Sequence, residues 1–197
     1  MLLNRQLAGM LAQYRANTKA AGTQVWSNGN GGTMWRAPPT GFMKINFDGA
    51  VFDDANMSGV GVVIRDCYGE VLAYCSDKIS HAYEAEVTEA LAAQKALSFA
   101  QELGFQNVIL EGDELGLIQA LKSQEQNLCP LGLLVEDVKI YSSHFQRVLY
   151  SHVKRNNNSV THNLVRHAIS IPDCQICMED VPPHIVLVLH SDVTHLH

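Results

Sequence analysis

No run in this sequence approaches the roughly 18 consecutive apolar residues of a membrane-crossing helix. The most apolar window near the end, Ile185 to Leu189, is far too short. Cysteine is sparse: Cys67, Cys75, Cys129, Cys174 and Cys177 lie scattered through 197 residues. So few, so spread, do not make a secreted disulfide scaffold, and a reducing compartment, cytoplasm or nucleus, is expected. Charged residues are also modest at 17%, against 47% hydrophobic, which is ordinary for a globular core and too apolar for a disordered chain. The length corresponds to one domain plus a tail, large enough to bury a core without a disulfide or metal staple.

The most local absence is of acid. From Lys139 to Pro172 there is no Asp or Glu, while Lys139, Arg147, Lys154, Arg155 and Arg166 supply five positive charges. Set against the overall charge of −6, that stretch leaves −11 on the rest of the chain. Four of the nine histidines (His144, His152, His162, His167) fall in it as well. Net acidity argues against nucleic acid; a basic block inside an acidic chain argues for a local footprint, with a solvated charged face as the alternative.

Residues 1–24 also lack acids and are amphipathic, so an N-terminal helix is expected there, an organelle-targeting segment being the other reading. GTQVWSNGNGGTMWRAPPT (22–40) reads as a flexible linker ending in a stiff Pro38-Pro39 pair. KINFDGAVF (44–52) alternates and predicts a strand; GVGVVIRD (59–66) and VLAYCSDKI (71–79) follow across short turns, an antiparallel meander. Residues 83–103 are Ala/Leu-rich without Gly or Pro and predict a long helix stopped by Gly104. NVILEGD (107–113) predicts a strand buried on both faces. Helices are expected over 114–123, 131–144 and 157–170, and a strand over 145–153. The chain thus divides into an N-terminal helix and linker (1–41), one α/β domain with a mixed sheet and flanking helices (42–171), and a weakly structured, proline-containing tail (172–197).

Candidate chemistry sits at strand ends. Asp48 closes the polar face of the first strand and Asp113 follows the apolar VILEG; ligands in α/β sheets gather at the carboxyl ends of strands. Glu89 is the more pointed signal. On a helical wheel it shares a stripe with Ala92, Ala93, Ala96 and Ala100, the face that packs on the sheet. A carboxylate there needs a partner or a shared cation, or else the support of the helix start. His152 ends the strand before the last helix and is either a general acid–base group or structural. Asn158 has the position of an N-cap. Cys174-x-x-Cys177 suggests zinc or redox chemistry, with His184 a third ligand, although a closed zinc site takes four.

KINFDGAV, GVGVVIRDCYGEVLA, TEALAAQKALSFAQELGF, VILEGDE and SHVKRNNNSVTHNLVRHA resemble, in order and spacing, the plant-type ribonuclease H-like domain found alone or at the end of non-LTR retrotransposon reverse transcriptases. The tail phrase MEDVPP is similar to plant members too. The resemblance covers about 42–171 and implies a type-1 ribonuclease H fold: three antiparallel strands, then parallel strands, with helices on both sides. It implies an enzyme that hydrolyses the RNA strand of RNA–DNA hybrids with Mg²⁺, or Mn²⁺, held by four carboxylates. Asp48, Glu89 and Asp113 match three of those catalytic metal ligands. His152 matches the histidine that assists product release, and Asn158 an Asn that contacts nucleic acid. Lys154 and Arg155 are expected to hold phosphates.

The fourth ligand departs from the pattern. Where the full acidic set has N-x-x-A-D-x-L-A, this chain reads N-S-V-T-H-N-L-V, putting His162 in place of the last Asp. Mg²⁺ prefers hard oxygen ligands, so metal binding at the other three acids with reduced activity, recoverable with Mn²⁺, is expected. A nucleic-acid-binding module without turnover is the second reading, and a domain acting only through protein contacts the third.

Overall fold

The computed structural model describes residues 35–193 except Gln126, so the N-terminal helix expected within 1–34 lies outside the described residues. Alternation over Met43–Phe52 makes β1, whose Met43, Ile45 and Phe47 enter one core while Lys44, Asn46 and Asp48 point the other way. β2 (Met57–Arg65) and β3 (Val71–Ile79) complete the antiparallel meander. α1 (Ala85–Glu102) then carries the chain over one face. β4 (Asn107–Gly112) returns parallel to β1, and β5 (Arg147–His152) parallel to β4, with α2 (Leu115–Lys122) and α3 (Pro130–Ser142) between them. Pro130 opens α3, where its missing N–H costs no hydrogen bond. α4 (Ser159–Ser170) crosses the opposite face of the sheet. The mixed sheet and its flanking helices are those expected.

The tail is not weakly structured. Gln175–Met178 forms β6, antiparallel on the free edge of β3, and α5 (Pro183–Val193) follows, giving the order β5-β4-β1-β2-β3-β6. The β3 edge would otherwise present unpaired backbone groups, and β6 satisfies them. The three tail prolines do not oppose this, since Pro172 and Pro182 lie outside the new elements and Pro183 opens α5.

The linker also ends earlier than expected. Trp35, assigned to it by sequence, is 1% exposed. Its indole N–H donates to Asn46 Oδ1 (3.0 Å), and its ring lies 3.9 Å from the Arg65 guanidinium. Around it runs a buried polar chain: Lys44 Nζ and Asn46 Nδ2 each donate to Glu111 at 3.0 Å, and Arg65 Nη1 reaches Asp192 of α5 at 2.9 Å. Sheet and tail are therefore tied by an ion pair that leaves no charge uncompensated. Among the described residues, no helix is long and apolar enough to cross a membrane.

Two glycines set how closely the helices approach. A Cβ on Gly49 would lie 2.7 Å from the Thr88 carbonyl oxygen of α1, and one on Gly61 would lie 2.5 Å from Thr161 O of α4. Neither obstacle is a flexible side-chain tip, so the helix must move. Gly61→Ala should cost about 1–3 kcal/mol, read as a lower urea midpoint at unchanged m-value. An unchanged midpoint would show that α4 is not seated on β2 this closely.

Candidate metal centre

Three elements bring one acid each to the place where the β1–β4 pairing stops; Asp48 does not end its strand as expected, since β1 continues to Phe52 along β2. β1 carries Asp48. β4 runs into Asp113, held at the strand-to-helix junction because Glu114 caps α2 by accepting from the Gly116 and Leu117 N–H groups. In the parallel pairing Asn46 faces Glu111, so two residues further on Asp48 and Asp113 come level. The second turn of α1 brings Glu89, close to β1 because Gly49 has no side chain. Carboxylate oxygens of Asp48, Glu89 and Asp113 all lie within 4.8 Å of one another.

Such crowding is electrostatically costly. Burial, then the charges of Asp48 and Asp113, push the Glu89 carboxyl up to about 10. Asp48 is raised by burial and by Asp113, while His162 pulls it back. Glu89 Oε2 is buried without a hydrogen-bond partner. An orphaned carboxylate oxygen, in a set of three hard oxygen donors under mutual repulsion, is what a divalent cation would satisfy. The residues present fit one.

His162 stands beside the cluster, with Nδ1 3.1 Å from Asp48 Oδ2. His152, at the end of β5, is exposed, and its Nε2 lies 3.2 Å from the Asp113 carbonyl oxygen. Lys154 and Arg155 are exposed on the turn that follows.

Asn158 is placed differently from the sequence expectation. It is 2% exposed, and its side chain makes no cap bond on α4 although it holds the N-cap position. Its amide instead donates to Phe47 O (2.8 Å) and Asp113 Oδ1 (3.1 Å), locking one metal-facing acid to the strand that carries another. The Cys174-x-x-Cys177 pair is split. Cys177 packs beside Tyr74 on the α4 side, while Cys174 meets Cys75 on the α1 side, and the His184 ring lies tilted against that of His167. Sequence reading missed the buried Lys44–Glu111 and Arg65–Asp192 pairs; an acid inside the apolar VILEG was the available signal.

A family profile described as reverse transcriptase-like matches residues 46–168. An Arabidopsis thaliana protein whose name assigns it provisionally to ribonuclease H is 29% identical over 137 residues, 70% of this chain, although the chain spans only 22% of that relative's length. Among solved structures, ribonuclease H1 from the archaeon Halobacterium salinarum superposes with a TM-score of 0.61 at 24% identity, covering 66% of this chain and 98% of that one. A compost-derived ribonuclease H1, solved with an RNA/DNA hybrid, gives 0.59 at 22% identity over 65% and 96%. At these identities the structures speak for the fold.

Proposed function

The chain belongs to the reverse transcriptase-like family and carries a ribonuclease H-like domain; from that premise we propose that it hydrolyses the RNA strand of RNA–DNA hybrids in a divalent-metal-dependent reaction. The observation that carries this reading is the convergence of Asp48, Glu89 and Asp113 around an unpartnered Glu89 oxygen. These three acids would hold Mg²⁺ or Mn²⁺. The cation supplies positive charge against the scissile phosphate and its leaving oxygen.

The remaining steps fall to the chain's own groups. Asn158 fixes the Asp113 carboxylate and acts as a positioning residue. His152, exposed at the rim, would deliver a proton to the departing sugar oxygen and assist product release. Lys154 and Arg155 pair with backbone phosphates, and the RNA strand is distinguished through its 2′-hydroxyls. His162 offers a nitrogen where a fourth carboxylate would offer oxygen, so the site binds Mg²⁺ less well and tolerates Mn²⁺ better. Turnover is correspondingly low.

The test is cleavage of a labelled hybrid in Mg²⁺ and in Mn²⁺ beside the Asp48→Asn variant. Cleavage in the parent chain, larger with Mn²⁺ and absent in the variant, is the expected result. The His162–Asp48 contact favours one other reading, a hybrid-binding module without turnover; tight binding with no cleavage in either metal would establish it over the nuclease.

Phosphate contact by the basic turn has its own signature. Lys154→Ala and Arg155→Ala should each lower the slope of log affinity against log salt by about 1, with similar losses for all hybrid sequences. An unchanged slope in both would remove these side chains from the interface.

A further inference from the structure

A second cluster of metal-ligating side chains lies away from the acidic centre, at the junction of β3 and β6. Cys75 and Asp77 project from β3 on the α1 side, and Cys174 immediately precedes β6. One donor atom from each of the three lies within 4.8 Å of the other two, and the two sulfurs are 3.7 Å apart. We propose that Cys75, Asp77 and Cys174 form a site for a thiophilic divalent cation, Zn²⁺, which pins the C-terminal β6–α5 segment to β3.

The spacing of the sulfurs is the first argument. Two thiolates on one tetrahedral zinc, each at about 2.3 Å, are about 3.8 Å apart, whereas a disulfide needs about 2.05 Å. The observed 3.7 Å matches the edge of a coordination tetrahedron, and in the metal-free chain the two thiols share a hydrogen bond across it. The second argument is donor chemistry. Two sulfurs and one carboxylate oxygen select Zn²⁺ over the hard cations suited to Asp48, Glu89 and Asp113. Charge is the third. Two thiolates and a carboxylate around Zn²⁺ leave one negative charge, and Lys95 Nζ, 2.6 Å from Asp77 Oδ2, supplies the matching positive one. Asp77 Oδ1 accepts from the Lys78 N–H, which orients the carboxylate. Cys174 is exposed, so the fourth position opens to solvent and a water can fill it. Binding exchanges two thiol protons for the cation, and both leave to solvent.

The sequence pattern alone pointed elsewhere, to Cys174 with Cys177. Residues three apart on a strand face opposite sides, and only the pairing of β6 with β3 reveals Cys75 as the partner.

The test uses the reduced, metal-free chain titrated with Co²⁺ as a spectroscopic substitute. One equivalent should produce thiolate-to-cobalt charge-transfer and visible bands, bleached by equimolar Zn²⁺ and unaffected by excess Mg²⁺. Cys75→Ser and Cys174→Ser should each abolish the bands. Asp77→Asn should weaken binding at least about tenfold, and Cys177→Ser should change nothing. Since Cys174 is exposed, its variant should fold, which circular dichroism checks. Zn²⁺ at a hundredfold excess over its Kd should raise Tm by about 5–10 °C in the parent chain and not in Cys174→Ser. Absence of the bands, their survival in Cys174→Ser, or their loss in Cys177→Ser would overturn the proposal. None of these outcomes depends on hybrid cleavage.

Discussion

Replacing Glu89 by glutamine should stabilise the metal-free chain at pH 7 by up to about 3 kcal/mol while lowering hybrid cleavage at least a hundredfold. The Glu89 carboxyl is pushed up to about 10 by burial and by Asp48 and Asp113, whereas in the unfolded chain it titrates at its ordinary value near 4.5. Below that value both states carry the proton and nothing is lost. As pH rises through the interval, the unfolded chain releases its proton and the folded one keeps it. Stability therefore falls with pH, by at most about 1.4 kcal/mol per unit from this group. Glutamine keeps the shape and cannot ionise, so the slope flattens. A divalent cation offsets most of this repulsion, setting two positive charges against the three carboxylates, so Mg²⁺ or Mn²⁺ should raise Tm in the parent chain and much less in Glu89→Gln. The cleavage loss follows because removing a ligand should exceed the ~10–100-fold cost of losing an outer-shell partner. Urea melts at pH 5, 7 and 9, with and without metal, check the first half. An unchanged pH slope in the variant would mean that Glu89 is not the strained acid of the cluster.

The same residue shows why the site could be found in the sequence at all. A helix face of alanines has no use for a carboxylate, so Glu89 conflicted with its surroundings in one dimension, and the structure places it 9% exposed beside two other acids. Asp113 was legible as a strand end, whereas Asp48 lies within β1 where its pairing with β4 has stopped, and their meeting follows from the parallel register of the two strands. Local pattern also sufficed for β1 through α4: β2 and β4, buried on both faces, show as unbroken apolar runs between turns, and the others carry one buried face or a Gly- and Pro-free helical run. It failed for β6, which is four residues long and exists only because β3 has an edge to cover. It failed for Trp35 in the same way: a glycine-rich run marked a linker, yet the indole is held by Asn46 and Arg65, residues distant in sequence. Asn158 was placed correctly along the chain and wrongly in role. Its backbone does start α4, but its side chain turns toward Asp113, a choice set by tertiary neighbours rather than by capping preference.

His162→Asp should raise Mg²⁺-supported hybrid cleavage at least about tenfold and narrow the advantage of Mn²⁺ over Mg²⁺. In both side chains the nearest polar atom is bonded to Cγ, so an aspartate oxygen would stand close to where His162 Nδ1 now lies, 3.1 Å from Asp48 Oδ2. From there it offers the hard donor that imidazole does not. The same substitution should lower the Tm of the metal-free chain, because a fourth carboxylate joins a cluster in which Asp48 and Glu89 are already raised by their neighbours. Added Mg²⁺ should then give a larger Tm rise than in the parent chain. Opposite signs with and without metal separate a ligand effect from a general change in stability. No gain in cleavage with either metal, in a variant whose circular dichroism and Mg²⁺ response show an intact site, would mean that His162 is not what limits turnover.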